Sequence, residues 1–371
     1  MDVKIYALKG CGNVLVQLVL ALPVILILEY FIYNRFMLRG VNYQRTFSQV
    51  HVFEGEKVNM VEVIENNNLL PIPWLKAEAR FGPSFEFGEI ENLQTIQGGY
   101  HRSVFSIMPF YKIKRTHEVT CIHRGEYPVG NVTITSGDVL GLISKIKTYD
   151  NEVAIIVYPT PLDNKQLAKC CSSLQGDVVV RRFINADPFM VAGVRDYAPG
   201  DPMYSINWKA TARTNSLQVY KYDFTSNSNV LFLFNIDTCS DQGPFPNEQE
   251  AKMLEYAIRF CASAVKTVIG MGIAAGFCSN AHYRDSTEFI NIASRCSKTQ
   301  IYTIFESLGR MQLNRTVSFI TMLQKLRGTI PKNTDIVVIS LYVDETMQEE
   351  LTLLRRGGFK VEVWNLSDSM N

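Results

Sequence analysis

The sequence predicts an α/β-plus-β protein carried by an N-terminal transmembrane helix. Three observations carry that expectation. One long apolar run lies near the N-terminus. Short alternating segments separated by turn formers extend to about residue 150. From about residue 229, continuous apolar runs alternate with helical periodicity.

The apolar run, Val14–Tyr33, reads VLVQLVLALPVILILEYFIY. About 20 helical residues span about 30 Å, the hydrocarbon thickness of a bilayer. Gln17 and Glu29 are its only strongly polar members, and Glu29 lies close enough to the far end to reach the interface. Tyr30 and Tyr33 occupy interfacial positions, and Pro23 is tolerable in a membrane helix. No small-residue cleavage site follows, which argues against a signal peptide. Arg35, Arg39 and Arg45 follow the run, and Lys4 and Lys9 precede it, so the positive-inside bias points to a single-pass anchor with a cytoplasmic body.

With 371 residues the chain exceeds one ordinary hydrophobic core. Its 47% hydrophobic and 20% charged residues suit a folded chain, and a net charge of +1 speaks against a nucleic-acid binder. Eight cysteines without a C-x-x-C pair read as buried thiols in a reducing compartment.

The expected organisation is a membrane anchor over 1–41, a β-sandwich-like domain over 42–150, a connecting region over 151–228 and an α/β domain over 229–371. In the second segment, Phe53–Ile64, Trp74–Phe81, His117–His123 and Asn131–Ile134 read as strands between Gly- and Asn-rich turns. This suggests a small antiparallel sandwich. Val153–Tyr158 is a strand leading out of it. In the last segment, Val230–Ile236, Gly272–Cys278, Asp335–Leu341 and Phe359–Trp364 read as strands. Glu248–Ile269, Ile301–Leu308, Ser318–Leu326 and Thr346–Arg356 read as helices. Such alternation predicts a doubly wound, mostly parallel sheet.

No phosphate loop, nucleophile elbow or H-E-x-x-H helix occurs. Gly270, Gly272 and Gly276 precede or lie within a strand, where a dinucleotide loop would have to follow one. His117, Cys121 and His123 share a face in a period-2 reading. Four residues of strand separate the first two by about 13 Å, too far for one ion. The densest polar segment is Gly193–Val219. Its arginines can clamp onto Asp196 or Asp201 or meet a partner directly, and a helix starting near Asp201 or Ser205 would place Trp208 one turn inside.

The run Arg195-x-Tyr197-x-x-Gly200-Asp201, continuing through Ile206, Trp208, Lys209, Ala212, Arg213 and Leu217, resembles the signature of the bacterial domain-of-unknown-function family number 58. Arg124-Gly125-x-Tyr127 through Gly137–Leu142 resembles a second stretch of that family. The chain departs from the pattern at Tyr204, where an arginine is usual, and in showing one membrane helix where two are common. The resemblance implies a von Willebrand factor A-like α/β domain. It also implies action beside a MoxR-type AAA+ ATPase, whose gene commonly neighbours those of the family, in assembly or maturation of envelope or other complexes. Arg195, Tyr197, Gly200, Asp201, Trp208, Lys209 and Arg213 are then the candidate partner-binding or structural residues.

Domains of the von Willebrand A type often hold Mg²⁺ in a D-x-S-x-S loop, whose oxygen ligands suit a hard cation. Here the loop reads Asp237-Thr238-Cys239-Ser240-Asp241. A thiol stands where a hydroxyl belongs. Asp237 and Asp241 therefore form a degenerate metal site whose carboxylates cap the following helix or meet solvent, and no cofactor is expected, Mg²⁺ being the less favoured alternative. The reading is a non-enzymatic membrane adaptor whose partners are the ATPase and the lipid bilayer. An extracellular adhesion protein would need the opposite orientation. A hydrolase would need Asp237, Asp241 or His123 brought together.

Overall fold

The computed structural model describes all residues except 1–2, 82–83, 88–92, 97–99, 129, 139, 151–153, 164–190, 199–200, 202, 223–228, 240–242, 244 and 368–371. It divides into two compact units, Met1–Val157 and Tyr158–Asn371.

The first unit begins with α1 (Val3–Phe36), one continuous helix containing Pro23. Its segment Val19–Phe36 is long and apolar enough to cross a membrane. The helix runs past the apolar stretch because Tyr33 and the following Met37 pack with Ile143 and Leu70 of the β-structure.

Among the described residues twelve strands follow: β1 (Val41–Phe47), β2 (His51–Phe53), β3 (Lys57–Asn66), β4 (Ile72–Arg80), β5 (Phe85–Phe87), β6 (Leu93–Ile96), β7 (Tyr100–Ile107), β8 (Lys112–Cys121), β9 (Gly125–Pro128), β10 (Val132–Gly137), β11 (Ser144–Tyr149) and β12 (Ala154–Tyr158). Two antiparallel sheets, β1-β3-β8-β5 and β11-β10-β4-β7-β6, share one core, and β2-β12-β9 form a third sheet. Period-2 alternation explains the packing. Val58, Met60 and Ile64 of β3 point inward and meet Leu75 and Ala77 of β4 and Ile134 of β10.

Strands β1, β7 and β11 lie outside the segments marked as strands from sequence. Strand β7 places polar His101 and Ser103 inward, and β11 has no buried residue, so neither carries an apolar alternation to recognise. One expectation is corrected. β8 ends at Cys121, so the period that put His123 on the face of His117 and Cys121 stops there; His123 is exposed in the following turn.

The second unit contains a hairpin of β13 (Val191–Asp196) and β14 (Gln218–Tyr222), enclosing a 3-10 turn (Met203–Ser205) and α2 (Trp208–Thr214). Then come β15 (Asn229–Phe234), α3 (Glu248–Gly270), β16 (Ala274–Ser279), β17 (Ile290–Arg295), α4 (Lys298–Arg310), α5 (Phe319–Leu326), β18 (Thr334–Ser340), α6 (Glu345–Arg356) and β19 (Val361–Asn365). The sheet order is β17-β16-β15-β18-β19. β15 pairs in parallel with β16 and β18, and β18 with β19; only the edge strand β17 is antiparallel.

The central strand is apolar throughout because both of its faces are covered. Leu231 and Leu233 pack with Phe319, Met322 and Leu323 of α5 and Leu351 of α6. Phe232, on the other face, lies 6.3 Å from the ring of Trp364, which is 5.5 Å from Phe260 of α3. α3 starts at a capping box in which Asn247 Oδ1 accepts from Glu250 N at 2.8 Å. Gly276 sits where β17 approaches the backbone of β16 closely: a Cβ there would lie 2.8 Å from Ile292 O and 2.6 Å from Ser294 Oγ. That is a structural role for one of the glycines that lie out of place for a dinucleotide loop.

Candidate functional site

The signature segment folds around one ion pair. Arg195, on β13, donates from both terminal nitrogens to the two carboxylate oxygens of Asp201, each at 2.7 Å. Asp201 Oδ2 also accepts from Ala198 N at 2.9 Å, which closes the turn. Hydrogen bonds from Arg195, then from the Ala198 backbone, hold the Asp201 carboxyl down at about 2. The bidentate fork fixes geometry in a way that a lysine could not.

After the 3-10 turn Met203–Ser205, Ile206 bridges Val219 across the hairpin and Asn207 is extended. Asn207 then caps α2, its Oδ1 accepting from Ala210 N at 3.0 Å. The helix therefore starts at Trp208, which corrects the expectation that Trp208 lies one turn inside. Trp208 is 65% exposed, and Lys209 and Arg213 are exposed with it. Asp196 accepts from Gln218 Nε2 on the neighbouring strand. Tyr197 is half-buried, and its N–H donates to Leu217 O at 2.9 Å. Gly200 lies outside the described residues.

At the carboxyl end of β15, Asp237 is buried in a ring of donors. Asn280 Nδ2 donates to its Oδ1 at 3.1 Å, and Arg315 Nη1 approaches the same oxygen at 3.4 Å. Phe319 N, in the first turn of α5, donates to Oδ2 at 3.1 Å. The carboxylate thus accepts from the first turn of α5, where the expectation was the helix that follows it in sequence. Arg315 supplies the positive charge that a cation would bring. Cys239 is exposed, and Asp241 lies outside the described residues.

The first unit holds a cluster that sequence reasoning missed. Glu62 occupies an inward position of β3 between Met60 and Ile64, with its side chain 0% exposed. Arg45, its cross-strand neighbour on β1, donates to Oε1 at 2.6 Å, and Tyr43 OH donates to the same oxygen at 2.7 Å. Ser103 Oγ donates to Oε2 at 2.9 Å, and His117 Nε2 lies 3.1 Å from that oxygen. His101 Nε2 is 2.9 Å from Ser103 Oγ. An ionised carboxylate only accepts, so His117 Nε2 must carry its proton. Ser103 spends its hydroxyl proton on Glu62, so His101 Nε2 donates to Ser103.

Burial raises the carboxyl's pKa, but the adjoining imidazoles of His101, 3.7 Å away, and His117, 3.1 Å away, together with the charge of Arg45, outweigh it, so Glu62 stays ionised. Burial pulls His101 below its ordinary value. The ligand atoms of Glu62, His101 and His117 lie within 4.8 Å of one another, close enough for one transition-metal ion. However, the four hydrogen bonds occupy all the lone pairs of Glu62, and Arg45 already neutralises it. Around it the cluster keeps orphaned buried atoms: Arg45 Nε and Nη1 and the Nδ1 atoms of His101 and His117 have no hydrogen-bond partner among the described residues. Its sequence signal was the charge at Glu62 within an otherwise apolar alternation; the partners come from three other strands and share no local pattern.

The chain is 24% identical over 249 residues to the Bacillus subtilis (strain 168) "Uncharacterized protein YeaD", covering 65% of this chain and 56% of that protein, so the match spans little more than half of the relative's length. Among solved structures, a cohesin module from a Clostridium perfringens family 33 glycoside hydrolase aligns at 11% identity and TM-score 0.24, covering 32% of this chain and 97% of the module. A CARDB domain from Pyrococcus furiosus aligns at 11% identity and TM-score 0.22, covering 32% of this chain and 91% of that domain. The signature hairpin and everything after it to residue 369, that is residues 193–369, match the family described as "Protein of unknown function DUF58".

Proposed function

We propose that this chain is a membrane-anchored, non-enzymatic adaptor that acts with a MoxR-type AAA+ ATPase in assembly or maturation of protein complexes. In this reading residues 229–371 form a doubly wound, von Willebrand factor A-like domain, and the body lies on the cytoplasmic side. The observation that carries the proposal is the signature module. Its internal charges, Arg195 and Asp201, satisfy each other, while Trp208, Lys209 and Arg213 face solvent on a short capped helix. A hydrogen-bonded scaffold presenting an exposed aromatic ring with two exposed cations on the same short helix is suited to a protein partner.

Two further features favour an adaptor over an enzyme. Asp237 is engaged by Arg315 and the start of α5, and the Glu62 cluster is closed to solvent. Arg35 and Arg39 after the apolar helix favour a cytoplasmic body.

The test is affinity purification of the full chain from detergent-solubilised membranes of its own host. An AAA+ ATPase should co-purify with the unaltered chain and drop at least roughly tenfold with Trp208→Ala combined with Arg213→Glu, about 1.4 kcal/mol at the interface. Recovery of no AAA+ protein, or equal recovery with the variant, would refute the adaptor reading.

A further inference from the structure

The last turn of α1 is built into the first unit. Tyr33 is 8% exposed and Met37 1%, and Tyr33 OH donates to Pro71 O at 3.4 Å. Asn68 Nδ2 donates to Phe36 O at 2.8 Å, and Lys145 Nζ to Asn34 O. Immediately before this turn the helix is apolar and exposed: Ile25 is 62%, Leu28 59% and Phe31 65% exposed. At 1.5 Å per residue, Phe31 precedes Tyr33 by about 3 Å along the axis. If α1 crosses the bilayer, the end of the β-unit beside its exit can stand off from the lipid by no more than about one helical turn, roughly 5 Å.

Three loops meet at that same end. Asn66, 0% exposed, ties two of them together: its Nδ2 donates to Leu70 O at 2.9 Å and Met108 O at 3.2 Å, and its N–H to Tyr111 O at 2.9 Å. Asn67 N–H bonds Gly40 O at 2.9 Å, just past the helix. The third loop joins β10 to β11 and sends Ile143 against Tyr33.

The buried amides face inward, and the large side chains of these loops face out. Leu69 is 78% exposed, Met108 63%, Phe110 67%, Tyr111 64%, Leu140 53% and Leu142 59%. Phe110 adopts φ 61°, an unusual conformation for a bulky residue, held by the hydrogen-bonded loop around it. Exposed Arg35, Arg39 and Lys112 stand on the helix exit and the flanking strand. Leucines, aromatics and cations together match the headgroup–acyl boundary, where apolar bodies are buried and charged tips stay wet.

We infer that this collar of loops docks on the bilayer around the exit of α1, inserting Leu69, Met108, Phe110, Tyr111, Leu140 and Leu142 at the interface and holding the β-unit flush against anionic lipid. The inference rests on α1 crossing the membrane. Continuity with the helix selects lipid over a second copy of the chain, because the collar surrounds the point where the chain itself leaves the bilayer.

The test uses the full chain in vesicles of phosphatidylethanolamine and phosphatidylglycerol, with a benzophenone amino acid at Phe110 or Leu142, irradiation, and mass spectrometry of adducts. Ile25 within α1 is the positive site. Ile122 is the negative site: it lies past the end of β8 where Thr120 pairs with Lys57, while Lys112 pairs with Glu65 at the collar end, about 27 Å away. Lipid adducts at 25, 110 and 142 but not at 122 are expected. Adducts at 25 without any at 110 or 142 would overturn the docking with the membrane span intact. Adducts between copies of the chain at 110 and 142 in place of lipid would overturn it in favour of self-association. No adduct at 25 would overturn the membrane span, and the docking with it.

Discussion

Replacing Arg45 with methionine would leave the carboxylate of Glu62 buried without its counter-charge. The pair is 2.6 Å apart and both side chains are 0% exposed, so water cannot take the place of the guanidinium. Removing one partner of such a pair costs about 3–5 kcal/mol, mostly because a lone charge stays in the core. At about 1.4 kcal/mol per tenfold, that is roughly two to three and a half orders of magnitude in the local opening equilibrium. Methionine keeps a long unbranched apolar side chain but gives up the guanidinium that lies 5.6 Å from the Tyr43 ring and 5.0 Å from the Phe81 ring.

The double variant Arg45→Met, Glu62→Gln removes both charges. The glutamine carbonyl still accepts from Tyr43, and its amide meets His117 in the other tautomer. It should recover at least about 2 kcal/mol relative to Arg45→Met alone, since a neutral hydrogen-bonded core is tolerated where a lone charge is not. The assay is amide hydrogen exchange of β3 and β8 in the full chain held in lipid nanodiscs. A loss below about 1 kcal/mol for Arg45→Met, or a double variant no better than the single one, would refute the reasoning from buried charge.

Two further outcomes are expected. The first unit should lose stability as pH falls below the ordinary histidine value of about 6.5, because burial depresses His101 and the unfolded chain therefore takes up the proton first; Glu62, depressed as a carboxyl, adds to the loss only below its ordinary range. Exchange of β7 amides that is equally protected at pH 8 and pH 5, after correction for the intrinsic rate, would contradict this. Gly276→Ala should destabilise the second unit by about 1–3 kcal/mol, because the added methyl must displace Ile292 O and Ser294 of β17, and thermal unfolding followed by near-ultraviolet circular dichroism reads the effect.

Much of the architecture was legible in residue order. The apolar helix, the central strands and the helices α3–α6 each carry a local signal: a sustained apolar run, a period, or a cap such as Asn247 or Ser318. Strand β17 was not legible, because it is an antiparallel edge strand exposed on alternate positions. The ion pair of Arg195 and Asp201 was within reach of the sequence, six residues apart in one turn-rich segment. The neutralisation of Asp237 by Arg315 was not, since 78 residues separate the two.

The sequence by itself determined what each segment can bury: which stretch suits lipid, which strands are covered on one face and which on both. Those properties depend on the order of apolar and polar residues along one element. Only the tertiary structure decided what the polar exceptions do. Glu62, Arg45, His101 and His117 become one buried cluster because four strands bring them together. The loops holding Leu69, Phe110 and Leu142 become one apolar rim because Asn66 and Tyr33 gather them at the end of the helix. Charge pairing and surface continuity are properties of distance in space, and pairing across a sheet sets that distance with little regard to separation along the chain.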